Sequence, residues 1–226
     1  MAVVTPDHSR ESTPIGIHSW EFATSITPYL IGGAIGLVTS FLATAVYEFF
    51  RRPSLEIVAG EHTPPADQWR FLHVTVRNRP QPPWLPSIAA RLPAALCRAW
   101  VTINVGAGQE VRFTGRWTSQ REPGEYLPGG GLKTDLGHIL VVPREGIPAG
   151  ESVQLAVAMK YAGETACYGF NNENYLAPGL REASREIGQG RFRVEVEVLS
   201  GAISVVEKFE LRNEGPALDD FTLTKI

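Results

Sequence analysis

Tyr29-Leu-Ile-Gly-Gly-Ala-Ile-Gly-Leu-Val-Thr-Ser-Phe-Leu-Ala-Thr-Ala-Val-Tyr47 carries no charged side chain. The apolar run resumes after Glu48 with Phe49 and Phe50, then stops at Arg51-Arg52-Pro53. A helix over residues 29–50 is about 33 Å long, which matches a hydrocarbon core of about 30 Å. The stretch predicts a single transmembrane helix over 29–50, a short tail over 1–28 and one domain over 54–226.

A secretory signal peptide would carry a basic start, a shorter apolar core and a small-residue cleavage site. Here Asp7, Arg10, Glu11 and Glu21 precede the apolar core, and Glu48-Phe49-Phe50-Arg51-Arg52 follows it. A buried helix of a soluble protein would need an equally apolar partner surface, and no other segment provides one. Orientation follows from the flanking cations: Arg10 lies on one side, and Arg51, Arg52 and Arg70 on the other. The positive-inside rule puts the C-terminal domain in the cytoplasm and the N-terminus outside the cell membrane. Trp20, Tyr29 and Tyr47 stand where amphipathic rings anchor at the water interfaces.

Gly32, Gly36, Ser40 and Thr44 recur every fourth residue, with Gly33 and Ala43 beside them. Such a stripe of small residues lets helix backbones approach closely in lipid, so homo-oligomerisation through this face is expected.

The remainder is long enough for one domain with its own core. Net charge is −3, and no basic stripe marks a nucleic-acid partner. Cys97 and Cys167 sit in apolar, strand-like surroundings and read as small core residues that a cytoplasm keeps reduced.

Period-2 alternation runs through most of this domain. Strands are expected near 55–58, 71–76, 95–105, 110–117, 153–159, 165–170, 191–198 and 203–211, with a short apolar segment at 138–142. Phe192, Val194, Val196 and Val198 alternate with Arg and Glu, and Ser200-Gly201-Ala202 turns that strand into a hairpin. Residues 79–93 are punctuated by proline and cannot be a central strand. Residues 121–135 form a long Gly/Pro loop, 146–151 a turn, and 178–187 the one helix-like stretch. Many short strands without interleaved helices predict a mainly β chain: an antiparallel immunoglobulin-like sandwich behind the membrane helix.

Several phrases bear on kinship: Leu-His-Val-Thr-Val-Arg-Asn (72–78), Ala-Ala-Leu-Cys-Arg-Ala-Trp-Val (94–101), Gly-Arg-Trp-Thr (115–118) and Cys-Tyr-Gly-Phe-Asn-Asn-Glu-Asn-Tyr-Leu (167–176). With Ile-Pro-Ala-Gly-Glu (147–151) and Gly-Arg-Phe-Arg-Val-Glu-Val-Glu-Val (190–198), this pattern resembles a family of prokaryotic membrane-anchored, immunoglobulin-like β-sandwich proteins. The resemblance spans most of 54–213. It implies the fold and brings no activity, cofactor or site residue with it.

Catalytic patterns are missing from the sequence. There is no Gly-x-Ser-x-Gly elbow, and Gly129-Gly-Gly-Leu-Lys-Thr134 lacks the spacing of a phosphate loop. His8, His18, His62, His73 and His138 have no metal-pair spacing, although His62 and His138 both lie near loops. The expectation is a non-enzyme without cofactor or metal. A hydrolase is the least favoured alternative, kept because the loops at 79–93 and 121–135 are long.

One constellation stands apart: Tyr168-Gly-Phe-Asn171-Asn172-Glu173-Asn174-Tyr175. Asn caps and tolerates tight turns, so a self-satisfied corner accounts for every residue type present. The functional reading is a polar loop with aromatic walls, with Arg116, Trp117, Arg121 and the loop near Trp84 at the same end of the sandwich. Two classes of function follow. One is a membrane-anchored interaction or sensor module that binds a protein or a small ligand. The other is an oligomeric membrane effector whose helices perturb the bilayer on a signal.

Overall fold

The computed structural model describes residues 19–60, 68–84, 90–106, 108–126 and 132–226. The chain divides into two units at Phe49/Phe50, each described by itself.

The first unit is built on helix α1, Ser19–Arg51. It starts ten residues before the expected 29, inside what reads as the tail, and it runs through Pro28. Proline at that point removes one helical donor without ending the helix. The segment Pro28–Arg51 has a mean hydropathy of 1.8 and is long and apolar enough to cross a membrane. Side chains from Pro28 through Phe49 are exposed. The Thr39 hydroxyl donates to the Ile35 carbonyl at 2.8 Å, and that of Thr44 to the Ser40 carbonyl at 2.9 Å. Both hydroxyls are thus satisfied within the helix, as a lipid-facing segment requires.

The second unit is an antiparallel β-sandwich. Its strands are β1 Leu55–Ala59, β2 Trp69–Asn78, β3 Ala94–Gly106, β4 Gln109–Thr114, β5 Arg116–Trp117, β6 Gly124–Tyr126 and β7 Leu132–Thr134. Then come β8 Glu145–Ile147, β9 Ser152–Tyr161, β10 Cys167–Gly169, β11 Glu186–Ile187, β12 Gly190–Ser200, β13 Ile203–Asn213 and β14 Phe221–Lys225. One sheet has the order β1-β2-β9-β10-β11, with β5 also on β9. The other has the order β14-β13-β12-β3-β4, with β8 also on β3. The β6–β7 pair is a separate small hairpin.

Alternation explains the main core. Cys97, Ala99, Val101 and Ile103 of β3 and Val194, Val196 and Val198 of β12 face inward against Leu72, Val74, Val76, Leu155 and Val157 of the opposite sheet. Phe192 is partly buried and packs on the same core. Trp117, Phe209, Leu211 and Phe221 complete it. Cys97 and Cys167 are free, buried thiols.

A second apolar cluster covers the outer face of the first sheet: Ile139, Ala156, Met159, Tyr168, Phe170, Tyr175 and Leu180, with Phe71 and Tyr161 packed on it. β9 is therefore buried on both faces from Leu155 to Lys160, which matches its nearly continuous apolar run. Lys160 is the exception in that run. Its Nζ donates to Asn213 Oδ1 at 2.6 Å and to the Gly215 carbonyl, and burial lowers its pKa.

Several local expectations change. The run 110–117 is two strands in different sheets, divided at Gly115. A Cβ there would lie 2.7 Å from Leu155 Cδ1, so the chain crosses between sheets at the one residue that fits. The short apolar segment 138–142 begins inside a helix, α2, Leu136–Leu140, with the Asp135 carboxylate capping the His138 N–H, and turns extended at Val141. The turn at 146–151 contributes Gly146 and Ile147 to β8. The loop 121–135 contains the β6–β7 hairpin around residues 127–131, which lie outside the described residues. The helix-like stretch 178–187 becomes two 3₁₀ turns, Pro178–Leu180 and Ala183–Arg185, followed by β11. Positive φ at Gly179 (60°) and Leu180 (62°) breaks any continuous helix there.

Candidate functional site

The loop 167–185 leaves β10 at Gly169, where a Cβ would lie 2.5 Å from the Phe113 ring. It continues into a 3₁₀ turn, Asn172–Leu176. Asn171 caps this turn. Its Oδ1 accepts from the Glu173 N–H at 2.9 Å, and its own N–H donates to Asn174 Oδ1 at 2.9 Å, forming a capping box. Asn174 is fully buried, and its amide donates to the carbonyls of Gly169 (3.0 Å) and Leu180 (2.9 Å).

Arg185 closes the corner from the far side. Its guanidinium donates to Asn171 Oδ1 (2.5 Å) and Asn174 Oδ1 (3.1 Å) and pairs with the Glu173 carboxylate. It also lies over the Phe113 ring at 5.6 Å. Sequence reasoning missed Arg185. The only available signal was a cation a short loop away from an Asn/Glu cluster that needs one. A further clamp joins Arg181 to Glu164 at 2.6 Å and stacks Arg181 on Tyr161 at 3.8 Å.

The six constellation residues thus fall into distinct places. Asn171, Glu173 and Asn174 are engaged by one another and by Arg185. Tyr168 is buried in the second cluster, and burial pushes its phenol pKa up. Asn172 and Tyr175 reach two different clefts. Asn172 is 4 % exposed, its Oδ1 has no hydrogen-bond partner, and it lines a cleft of about 590 Å³ with Gln120, Arg121, His138, Val141 and Arg144. Tyr175 lines a cleft of about 190 Å³ with Phe71, His73, Arg116 and Phe170. A third cleft of about 430 Å³ shares Arg121, Asp135 and His138 with the first and Glu122 with the second. The three adjoin around 116–124, α2 and the corner.

Arg116, Arg121, Lys133 and Arg144 outnumber Glu122 and Asp135 along these linings. Leu136, Leu140, Val141 and Val142 are exposed beside them, an apolar rim of the kind that marks contact surfaces. Arg116 and Arg121 stand at the corner, as the sequence suggests. Trp117 does not: it is fully buried in the main core because β5 turns it inward. Trp84 lies edge-on to Phe50, with ring centroids 5.8 Å apart, and is not among the residues lining the three clefts. His62, considered as a companion of His138, lies outside the described residues. Among the described residues no group of three or more His, Cys, Asp or Glu could hold a metal ion.

Comparisons of the chain with protein-family models, with curated proteins and with solved structures find no match in any of the three.

Proposed function

We propose that the chain is a single-pass, membrane-anchored interaction or sensor module, without catalysis, whose immunoglobulin-like domain binds a protein or small ligand at the corner end of the sandwich. The observation that carries this reading is Asn172, a buried amide with an unpaired oxygen in the wall of a cleft rimmed by Arg121, His138 and Arg144. A buried acceptor left unmade costs about 1–3 kcal/mol, and a bound donor recovers it once the Asn172 amide turns toward the cleft. The exposed apolar residues of α2 supply contact area beside the polar groups.

The test places a photo-crosslinking side chain at Arg144, with Val206 as an exposed control, in full-length protein in its native membrane. The proposal expects a discrete adduct at 144, none at 206, and loss of the adduct in Asn172→Ala at an unchanged melting temperature. Indifference of the adduct to Asn172→Ala would refute it. In this reading the domain is cytoplasmic, from the Arg51-Arg52 flank. Protease added outside intact cells should leave it uncut, and its digestion would reverse the assignment.

The open small-residue stripe favours a second reading, the oligomeric membrane effector. A Cβ added at Gly32, Gly33 or Gly36 meets nothing within 4 Å, so the Gly32/Gly36/Ser40/Thr44 face is free to receive a second helix. Growth arrest or dye entry on overexpression, abolished by Gly32→Leu with Gly36→Leu along with crosslinked oligomers, would support it. Oligomers and growth unaffected by that double change would end it.

A further inference from the structure

Arg116 is 6 % exposed. Its Nη2 donates to the Gln120 carbonyl at 3.2 Å, while its Nε is buried without a partner. None of the ion pairs of the described residues includes it. Its guanidinium carbon lies 5.8 Å from the centroid of the Tyr175 ring. Arg185 and Arg181, by contrast, each hold a carboxylate. A buried guanidinium ordinarily has a counter-charge, and a fork of donors fits a carboxylate in particular.

The surroundings of Arg116 define the rest of the occupant. The cleft of about 190 Å³ is walled by Phe71, Phe170 and Tyr175. Phe71 and Phe170 meet edge-on at 4.8 Å, and Phe170 and Tyr175 are 6.0 Å apart, so the wall is a continuous aromatic surface. Its volume is close to that of the roughly 150 Å³ cavity that holds benzene. Thr118 and Glu122, both exposed, also line it, so it reaches solvent. Register fixes Arg116 in place, because β5 pairs it opposite Ala156 of β9, the strand buried on both faces.

We propose that this cleft takes a small organic carboxylate, with its charged end on the Arg116 guanidinium and a flat apolar body against Phe71, Phe170 and Tyr175. The inference rests on the reading of the corner end as a binding site, and it names the ligand class for one of the clefts there. Glu122, the only carboxylate among the described residues lining this cleft, competes for the same cation.

The experiment uses full-length protein in lipid nanodiscs and three probes: benzoate, benzyl alcohol (the ring without the charge) and inorganic phosphate (the charge without the ring). Saturation-transfer NMR titrations are expected to show benzoate binding at least about tenfold tighter than either of the others. Arg116→Gln should bring benzoate down to the level of benzyl alcohol, and Glu122→Gln should leave it equal or tighter. Equal binding of benzoate and benzyl alcohol, no benzoate binding, or full benzoate affinity in Arg116→Gln would each overturn the proposal. Phosphate binding as well as benzoate would overturn the aromatic part and with it the ligand class. If Arg116→Gln does not fold, the wild-type ranking of the three probes decides. Failure here combined with an Asn172-dependent adduct at position 144 would remove the carboxylate and leave the binding module standing.

Discussion

Asn174 uses its entire side chain as mortar: two carbonyls on one side, a backbone N–H and a guanidinium on the other. Asn172, two residues earlier and also buried, leaves an oxygen unmade. The two should respond unequally to truncation. Asn174→Ala strands several buried partners and is expected to destabilise the domain by about 3 kcal/mol, against under about 1 kcal/mol for Asn172→Ala. Urea unfolding of the detergent-solubilised chain followed by tryptophan fluorescence measures both, and equal losses would contradict the division drawn between them. Cys167 gives a pH signature at the same scale. Burial pushes its thiol from 9.0 up to about 12. Between those values the unfolded chain has released a proton that the folded chain retains, so stability falls as pH rises above 9, by up to about 1.4 kcal/mol per unit. Lys160 acts in the opposite sense, since its lowered pKa makes the folded chain bind fewer protons as pH approaches 10.5. Comparison with Cys167→Ala isolates the thiol. The wild type should lose ground to the variant from pH 9 to 10.5, and parallel stability curves would show that the thiol ionises normally in the fold.

Period-2 alternation located most of the long strands, because each has one face on the main core and one toward solvent. It failed where that condition fails. The alternation of 110–117 continues through Gly115, where the Leu155 side chain leaves no room for a Cβ and the chain crosses between sheets. No local pattern carries that information. Gly115→Ala should overpack this point and destabilise the domain by about 1–3 kcal/mol. An unchanged unfolding midpoint would mean that Leu155 yields freely. Residues 136–140 are too few to show a helical period, and the Asp135 cap is their one sign. β14 alternates as Phe-Thr-Leu-Thr-Lys, with Phe221 and Leu223 buried, but five residues with two apolar ones are too short a pattern to stand out. At the corner, the Asn/Glu cluster was visible as chemistry. Its division into mortar and cleft wall was not, because the clefts are built by 116–144, far from the cluster in sequence, and Arg185 reaches it only through the turns at 178–185. The second apolar cluster was half visible: the nearly continuous apolar run of β9 signals burial on both faces, but nothing local says that the corner is what covers the outer one.

For the whole molecule, two unlike solutions to burying apolar surface lie in one chain. The sandwich closes over its own core from two sheets, whereas α1 leaves Leu30, Ile35, Leu37, Phe41 and Phe49 more than half exposed. In water such a helix would be an aggregation seam; in a bilayer it is an anchor that leaves no backbone donor to lipid. The proposed module depends on that anchor, because location in the membrane is what distinguishes it from a free binding domain. Alkaline carbonate extraction of membranes from cells expressing the full chain tests this most directly. The intact protein should stay with the membrane pellet, and a variant lacking residues 29–50 should move to the supernatant. Release of the intact chain into the supernatant would contradict the account.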